Sequence, residues 1–196
     1  MAGDSPRAEG GGVLECRVGR APGQVAAQVE FGLAALRRLR LPRAAGLPRR
    51  VPADGRCLFR AIAHGACLRS GEEAPDENRQ RELADELRAQ VVDELLKRRE
   101  ETEWFIEGDF DAYVKRIQQP YVWGGEPELL MASHVLKTAI SVFMIDRSSD
   151  GLVNIANYGE EYRKDKESPI NVLFHGYGHY DLVETFSEQC YQKIKS

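Results

Sequence analysis

Apolar positions repeat with a helical period in the first two thirds of the chain and with a strand period in the last third. Leu58, Ile62 and Ala66 fall on one face with Phe59 and Ala61 beside them, which predicts a buried helix over 58–68. Pro75-Asp76-Glu77 supplies the proline and acids of a helix start, and Leu83, Leu87, Val91 and Leu95 then recur every fourth residue among charged neighbours. They predict a surface helix with one buried stripe, running to about residue 99. A third helical face gathers Phe110, Tyr113, Val114 and Ile117 over 110–117 and is stopped by Pro120. After Gly124-Gly125, the Glu126-Pro127-Glu128 start leads into Leu129, Leu130, Met131, Val135 and Leu136, a fourth helix ending near Lys137. The β-branched run over 139–145 then reads as a strand, and further strands are predicted at 152–156, 170–174 and 180–183. Helices that precede strands in this way predict an α/β domain, layered in the α+β manner.

Residues 1–50 have a different character. They hold nine arginines, no lysine and four acids on a Gly/Pro/Ala background. Val25, Val29, Leu33, Leu36 and Leu39 take helical spacing within 24–41, so 1–46 reads as an extension with one short amphipathic helix. An Arg-rich, acid-poor arm suits either a solvated terminus or an organellar targeting segment. The folded domain is expected over 47–186, with a tail at 187–196 and no further domain after it.

Composition narrows the partners. Among 196 residues, 27 basic side chains face 31 acidic ones for a net charge of −4, which leaves no global basic field to hold nucleic acid. No apolar run approaches a bilayer span and no signal-peptide pattern opens the chain. Cysteines at 16, 57, 67 and 190 form no CxxC pair and suit a reducing compartment, with cytoplasm or nucleus as the expected location.

One of those cysteines is placed for chemistry. Asp54-Gly55-Arg56-Cys57-Leu58-Phe59-Arg60-Ala61 delivers Cys57 from a tight turn onto the first turn of an apolar helix. Unpaired N–H groups and the positive dipole end at a helix start favour an anion, so a thiol there ionises more readily than a free one. A nucleophilic cysteine needs an imidazole to exchange its proton and a third group to orient the ring. His175-Gly176-Tyr177-Gly178-His179-Tyr180-Asp181 offers both, since His179 and Asp181, two apart at a strand, can share a face.

The first block resembles the Asp-Gly-x-Cys-hydrophobic-Phe-Arg nucleophile box of the ovarian tumour (OTU) domain cysteine proteases, and His179-Tyr180-Asp181 resembles their terminal His box. Tyr121-Val122-Trp123-Gly124-Gly125-Glu126-Pro127-Glu128-Leu129, with Ala132 and Ser133, is similar to the family's Trp-Gly-Gly-x-x-Glu-Leu-x-Ala segment. The three blocks occur in the family's order. The resemblance implies a papain-like fold, a small central β-sheet packed between helices, and a thiol hydrolase acting on ubiquitin conjugates without metal or organic cofactor. Cys57 would be the nucleophile, His179 the general base and Asp181 the orienting acid, while Asp54 would shape the turn or assist the histidine. Backbone donors of the turn, at Asp54, Gly55, Arg56 and Cys57, would hold the oxyanion. Trp123, Gly124 and Tyr177 would line a narrow channel for ubiquitin's diglycine tail. The partner is then ubiquitin or polyubiquitin, bound by a monomer. Arg56 departs from the Asn that many relatives carry and bears on the shape of the turn.

Three rivals stand beside this reading. A metal site at Cys57, His64 and Cys67 lacks paired-ligand spacing and a fourth ligand. A ubiquitin-binding module without activity would keep the fold with an idle site, and a thiol hydrolase for another ubiquitin-like tail would keep the chemistry. His134 and His175 are histidines without the following Tyr-Asp.

Overall fold

The structure is a computed structural model that describes residues 48–146, 151–163 and 168–184. The helix expected within 24–41, the extension around it and the C-terminal tail lie outside the described residues.

Strand β1 (Pro48–Arg49) is followed by helices α1 (Cys57–Arg69), α2 (Glu77–Lys97), the single turn α3 (Arg99–Thr102), α4 (Phe110–Ile117) and α5 (Glu126–Leu136). Strands β2 (Ile140–Asp146), β3 (Gly151–Tyr158), β4 (Ile170–Phe174) and β5 (Tyr180–Val183) complete one five-stranded sheet in the order β1-β5-β4-β2-β3. All pairings are antiparallel except β2 with β4. The predicted helices and strands agree with these elements to within a few residues. Strand β1 escapes a sequence reading because two residues carry no period, and only pairing with Leu182 and Val183 makes them a strand.

Local chemistry sets the helix limits. Asp76 accepts the Arg79 N–H at 2.8 Å and Asp109 the Ala112 N–H at 2.8 Å, so each aspartate satisfies a donor that the first turn leaves open. Helix α1 packs directly on the sheet. At Gly65 a Cβ would come within 2.8 Å of Ile170 and 3.0 Å of Leu182, so the helix backbone lies against β4 and β5. The core around it joins Leu58, Phe59 and Ile62 to Val91, Leu95, Leu129, Ile140 and Val172. This places the start of α1 beside the start of β5. Among the described residues no helix is long and apolar enough to cross a membrane.

Among the described residues Glu128 is the most buried acid, 1% exposed on α5. Burial pushes its carboxyl up, while the Tyr113 hydroxyl and the Gly125 N–H donate to it, each at 2.7 Å. One side chain thus ties α4 to the loop that carries Trp123. Tyr113→Phe removes one donor from a buried carboxyl and is expected to cost about 1–3 kcal/mol in urea unfolding; an unchanged midpoint would show that the bond contributes nothing net.

Candidate active site

Cys57 is the first residue of α1 and is buried, with its thiol donating to the Gly178 carbonyl at 3.8 Å. His179 stands immediately before β5. Its Nε2 bonds Asp181 Oδ1 at 3.1 Å, and its Nδ1 is buried without a partner in hydrogen-bonding geometry. Burial alone would pull the ring's pKa down, but the bond to Asp181 and the nearby Cys57 sulfur outweigh it and push the imidazole up to about 9. The structure therefore brings Cys57, His179 and Asp181 together, although the first two stand 122 positions apart in the sequence.

Asp181 is held more firmly than a sequence can show. Its Oδ1 also accepts the Val51 N–H at 2.9 Å, and its Oδ2 accepts from His175 Nε2 at 2.9 Å. Burial opposes its charge, yet the bonds from His175, His179 and Val51 hold the carboxyl well below the usual carboxylate range. In sequence His175 is a near-neighbour alternative to His179 that lacks the following Tyr-Asp; the β4–β5 connection turns it back onto the same carboxylate. His175, His179 and Asp181 bring three potential ligand atoms within 4.8 Å of one another, and here they are hydrogen-bonded among themselves. Cys57, His64 and Cys67 form no such group among the described residues.

Asp54 takes another place. Its Oδ2 pairs with Arg60 Nη2 at 2.7 Å and its Oδ1 accepts the Arg56 N–H at 3.0 Å, so its hydrogen bonds go to the turn and α1 rather than to His179. Burial raises its carboxyl, but the Arg60 and Arg56 contacts prevail and lower it overall. The same bond engages the Arg56 amide, which removes one of the turn donors expected for an oxyanion. The Arg56 side chain runs outward to Asp85 on α2, with Nε to Oδ1 at 2.7 Å and Nη2 to Oδ2 at 3.2 Å. This two-pronged pair gives the turn an anchor.

Two glycines are required here by both shape and space. Gly55 has φ +87°, and a Cβ on it would lie 2.3 Å from the Tyr121 carbonyl oxygen. Gly178 has φ +98°, and a Cβ there would lie 2.3 Å from the Trp123 ring. Trp123, 39% exposed, thus closes over the residue whose carbonyl faces the thiol. Gly124 sits against the start of α1, where a Cβ would meet Leu58 at 2.7 Å. The half-buried Tyr177 ring lies parallel to His179 with centroids 6.3 Å apart.

Gly176 allows a controlled comparison, because its φ is +79° but nothing lies within 4 Å of its Cβ position. Gly176→Ala is expected to cost only backbone strain, about 1–3 kcal/mol. Gly178→Ala adds the clash with Trp123, so it is expected to lose more stability in urea and to slow Cys57 alkylation. Equal effects of the two on both measurements would remove Trp123 from the site.

Residues 52–180 match the model of the family described as OTU-like cysteine proteases. The chain belongs to that family. It is 65% identical over 133 residues to the OVARIAN TUMOR DOMAIN-containing deubiquitinating enzyme 4 of Arabidopsis thaliana, a match covering 68% of this chain and 41% of that protein. The chain therefore spans less than half the length of this relative. The OTUD1 OTU domain superposes with a TM-score of 0.58 at 24% identity, covering 81% of this chain and 95% of that one. An OTU domain solved in complex with ubiquitin gives a TM-score of 0.50 at 27% identity over 70% of this chain and 68% of that one. The mixed α/β architecture of this chain is accordingly the OTU fold.

Proposed function

We propose that the chain is a deubiquitinating cysteine protease that cleaves the isopeptide or peptide bond after the C-terminal glycine of ubiquitin. The observation that carries this reading is the succession of contacts from Asp181 through His179 to the Cys57 sulfur. One imidazole nitrogen is fixed by a carboxylate and the other is left for the thiol at a helix start. The OTU relative at 65% identity is named a deubiquitinating enzyme, and an OTU domain of similar fold has been solved with ubiquitin bound.

In this mechanism His179 already holds the proton given up by Cys57, as its raised pKa requires, and the thiolate attacks the carbonyl carbon of the scissile bond. The tetrahedral oxyanion is met by backbone N–H groups at the start of α1, with that of Cys57 foremost. His179 then protonates the departing amine as the carbon–nitrogen bond breaks and the thioester remains. Water, deprotonated by His179, attacks the thioester, and the ubiquitin carboxylate leaves as Cys57 is restored. Asp181 stabilises the imidazolium in both halves, and Asp54 shapes the turn. Trp123, Gly124 and Tyr177 border the approach to Cys57 and suit an unbranched diglycine tail.

The test is incubation of the 196-residue chain with a ubiquitin propargyl probe and with all di-ubiquitin linkages. Expected are a covalent adduct on Cys57 and cleavage of at least one linkage. Ubiquitin binding with neither adduct nor cleavage would overturn the proposal in favour of an idle module, and reaction confined to another ubiquitin-like probe would reassign the substrate.

A further inference from the structure

Arg88 lies in the buried stripe of α2 and is 3% exposed, yet its hydrogen bonds reach backbone carbonyls rather than a carboxylate. Nη1 donates to Ile117 O at 2.9 Å, and Nη2 donates to Gly55 O at 2.9 Å and to Pro120 O at 3.1 Å. The guanidinium also lies 4.2 Å from the centre of the Phe59 ring. A buried cation is costly unless its protons are bonded, so the carbonyls must stay where they are for the charge to be tolerated. Arg88 thereby joins the end of α4, the loop leading to Trp123 and the turn before Cys57.

The bond to Gly55 has a further consequence for the nucleophile. The carbonyl of the Gly55–Arg56 peptide is held by Arg88, and the N–H of that same planar unit is held by Asp54 at 3.0 Å. Rotation of the unit would break both bonds. The Gly55 oxygen therefore faces the Arg88, Ile117 and Pro120 cluster, while the Cys57 sulfur faces Gly178 and His179. Three residues earlier on α2, Asp85 grips the Arg56 side chain, so one helix holds the turn at two successive residues.

We propose that Arg88 is a positioning residue that locks the Gly55–Arg56 peptide before substrate arrives, keeping its carbonyl away from the oxyanion that forms beside Cys57. The proposal rests on the protease reading above. It assigns Arg88 to the oxyanion step and not to the thiol–imidazole pair, which separates its effects from those of His179 and Asp181. Lysine cannot replace it, because one ammonium on a shorter stem cannot reproduce the planar fork that serves three carbonyls.

The test compares Arg88→Lys and Arg88→Met with the unmodified chain in three measurements. Turnover of ubiquitin aminomethylcoumarin is expected to lose about 100-fold in kcat with KM within about twofold, the cost of a small misplacement at the reacting centre. Alkylation of Cys57 by iodoacetamide, followed on its peptide by mass spectrometry, forms no oxyanion and is expected to stay within about threefold. Amide exchange over 53–57 is expected to rise at least about tenfold with α5 and β4 unchanged, as a locally loosened turn requires. Unchanged kcat, or alkylation falling in step with kcat, would overturn the proposal, and so would exchange rising equally throughout the domain. If the unmodified chain fails to turn over ubiquitin, the protease reading falls. Exchange over 53–57 then still decides whether Arg88 locks the turn, and no change there would overturn that too.

Discussion

Cys57→Ala is expected to abolish ubiquitin cleavage, with a loss of at least about 10⁴-fold, while leaving the fold and ubiquitin binding in place. The two halves of this expectation have different physical sources. Activity fails because no other group can form the acyl intermediate, and the remaining backbone donors stabilise an oxyanion that no longer arises. The fold survives because the lost sulfur is a small buried group whose hydrogen bond to Gly178 is a long contact; its removal costs about 1 kcal/mol. Cys57→Ser is expected to be as inactive, since a hydroxyl with nearly the same shape does not ionise beside an imidazole as a thiol does. Cys67→Ser provides the control, because Cys67 lies near the far end of α1 and is only partly buried. Gel-based di-ubiquitin cleavage and thermal unfolding of the three variants check these outcomes, and cleavage by Cys57→Ala at the normal rate would end the nucleophile assignment.

The elements of the fold were legible because their apolar residues repeat with a clear period. The 110–117 helix emerges from Phe110, Val114 and Ile117, and the 170–174 and 180–183 strands from short segments rich in apolar residues, at the bounds that the structure shows. Cys57 and His179 were legible as residue types in context, one at a helix start and the other beside an aspartate at a strand start. Arg88 was harder. It occupies the same stripe as Leu87, Val91 and Leu95, where a charged residue reads as an interruption of the apolar face, and its carbonyl partners come from segments 29–33 residues away. A cation in an apolar stripe was the available signal. The division of labour between the two aspartates was hidden for a related reason: one lies near Cys57 and the other near His179 in sequence, and only the fold shows that Asp54 pairs with Arg60 while Asp181 receives His179, His175 and Val51.

That division makes the behaviour of His179 with pH the second large expectation. His179→Ala is expected to reduce cleavage nearly as far as Cys57→Ala, because neither the thiol proton nor the leaving amine then has a partner. Asp181→Asn is subtler. Its amide oxygen can keep the bonds from Val51 and His179, and His175 can change tautomer to accept from the new NH₂, so the geometry holds while the charge is lost. The imidazolium that persists to about pH 9 in the unmodified site depends on that charge and on the sulfur. The alkaline limb of kcat/KM is therefore expected near pH 9 in the unmodified chain, moving toward the ordinary histidine range near 6.5 in Asp181→Asn. Stability follows the same sign: a histidine raised above its unfolded value stabilises the fold fully below about pH 6.5, and that contribution is lost as pH rises through 9. Asp181→Asn should flatten this decline. Asp54→Asn should instead leave the alkaline limb in place and lower stability, because it loosens Arg60 and the turn without touching the ring. Coincident alkaline limbs in Asp181→Asn and the unmodified chain would show that Asp181 orients His179 without holding its charge.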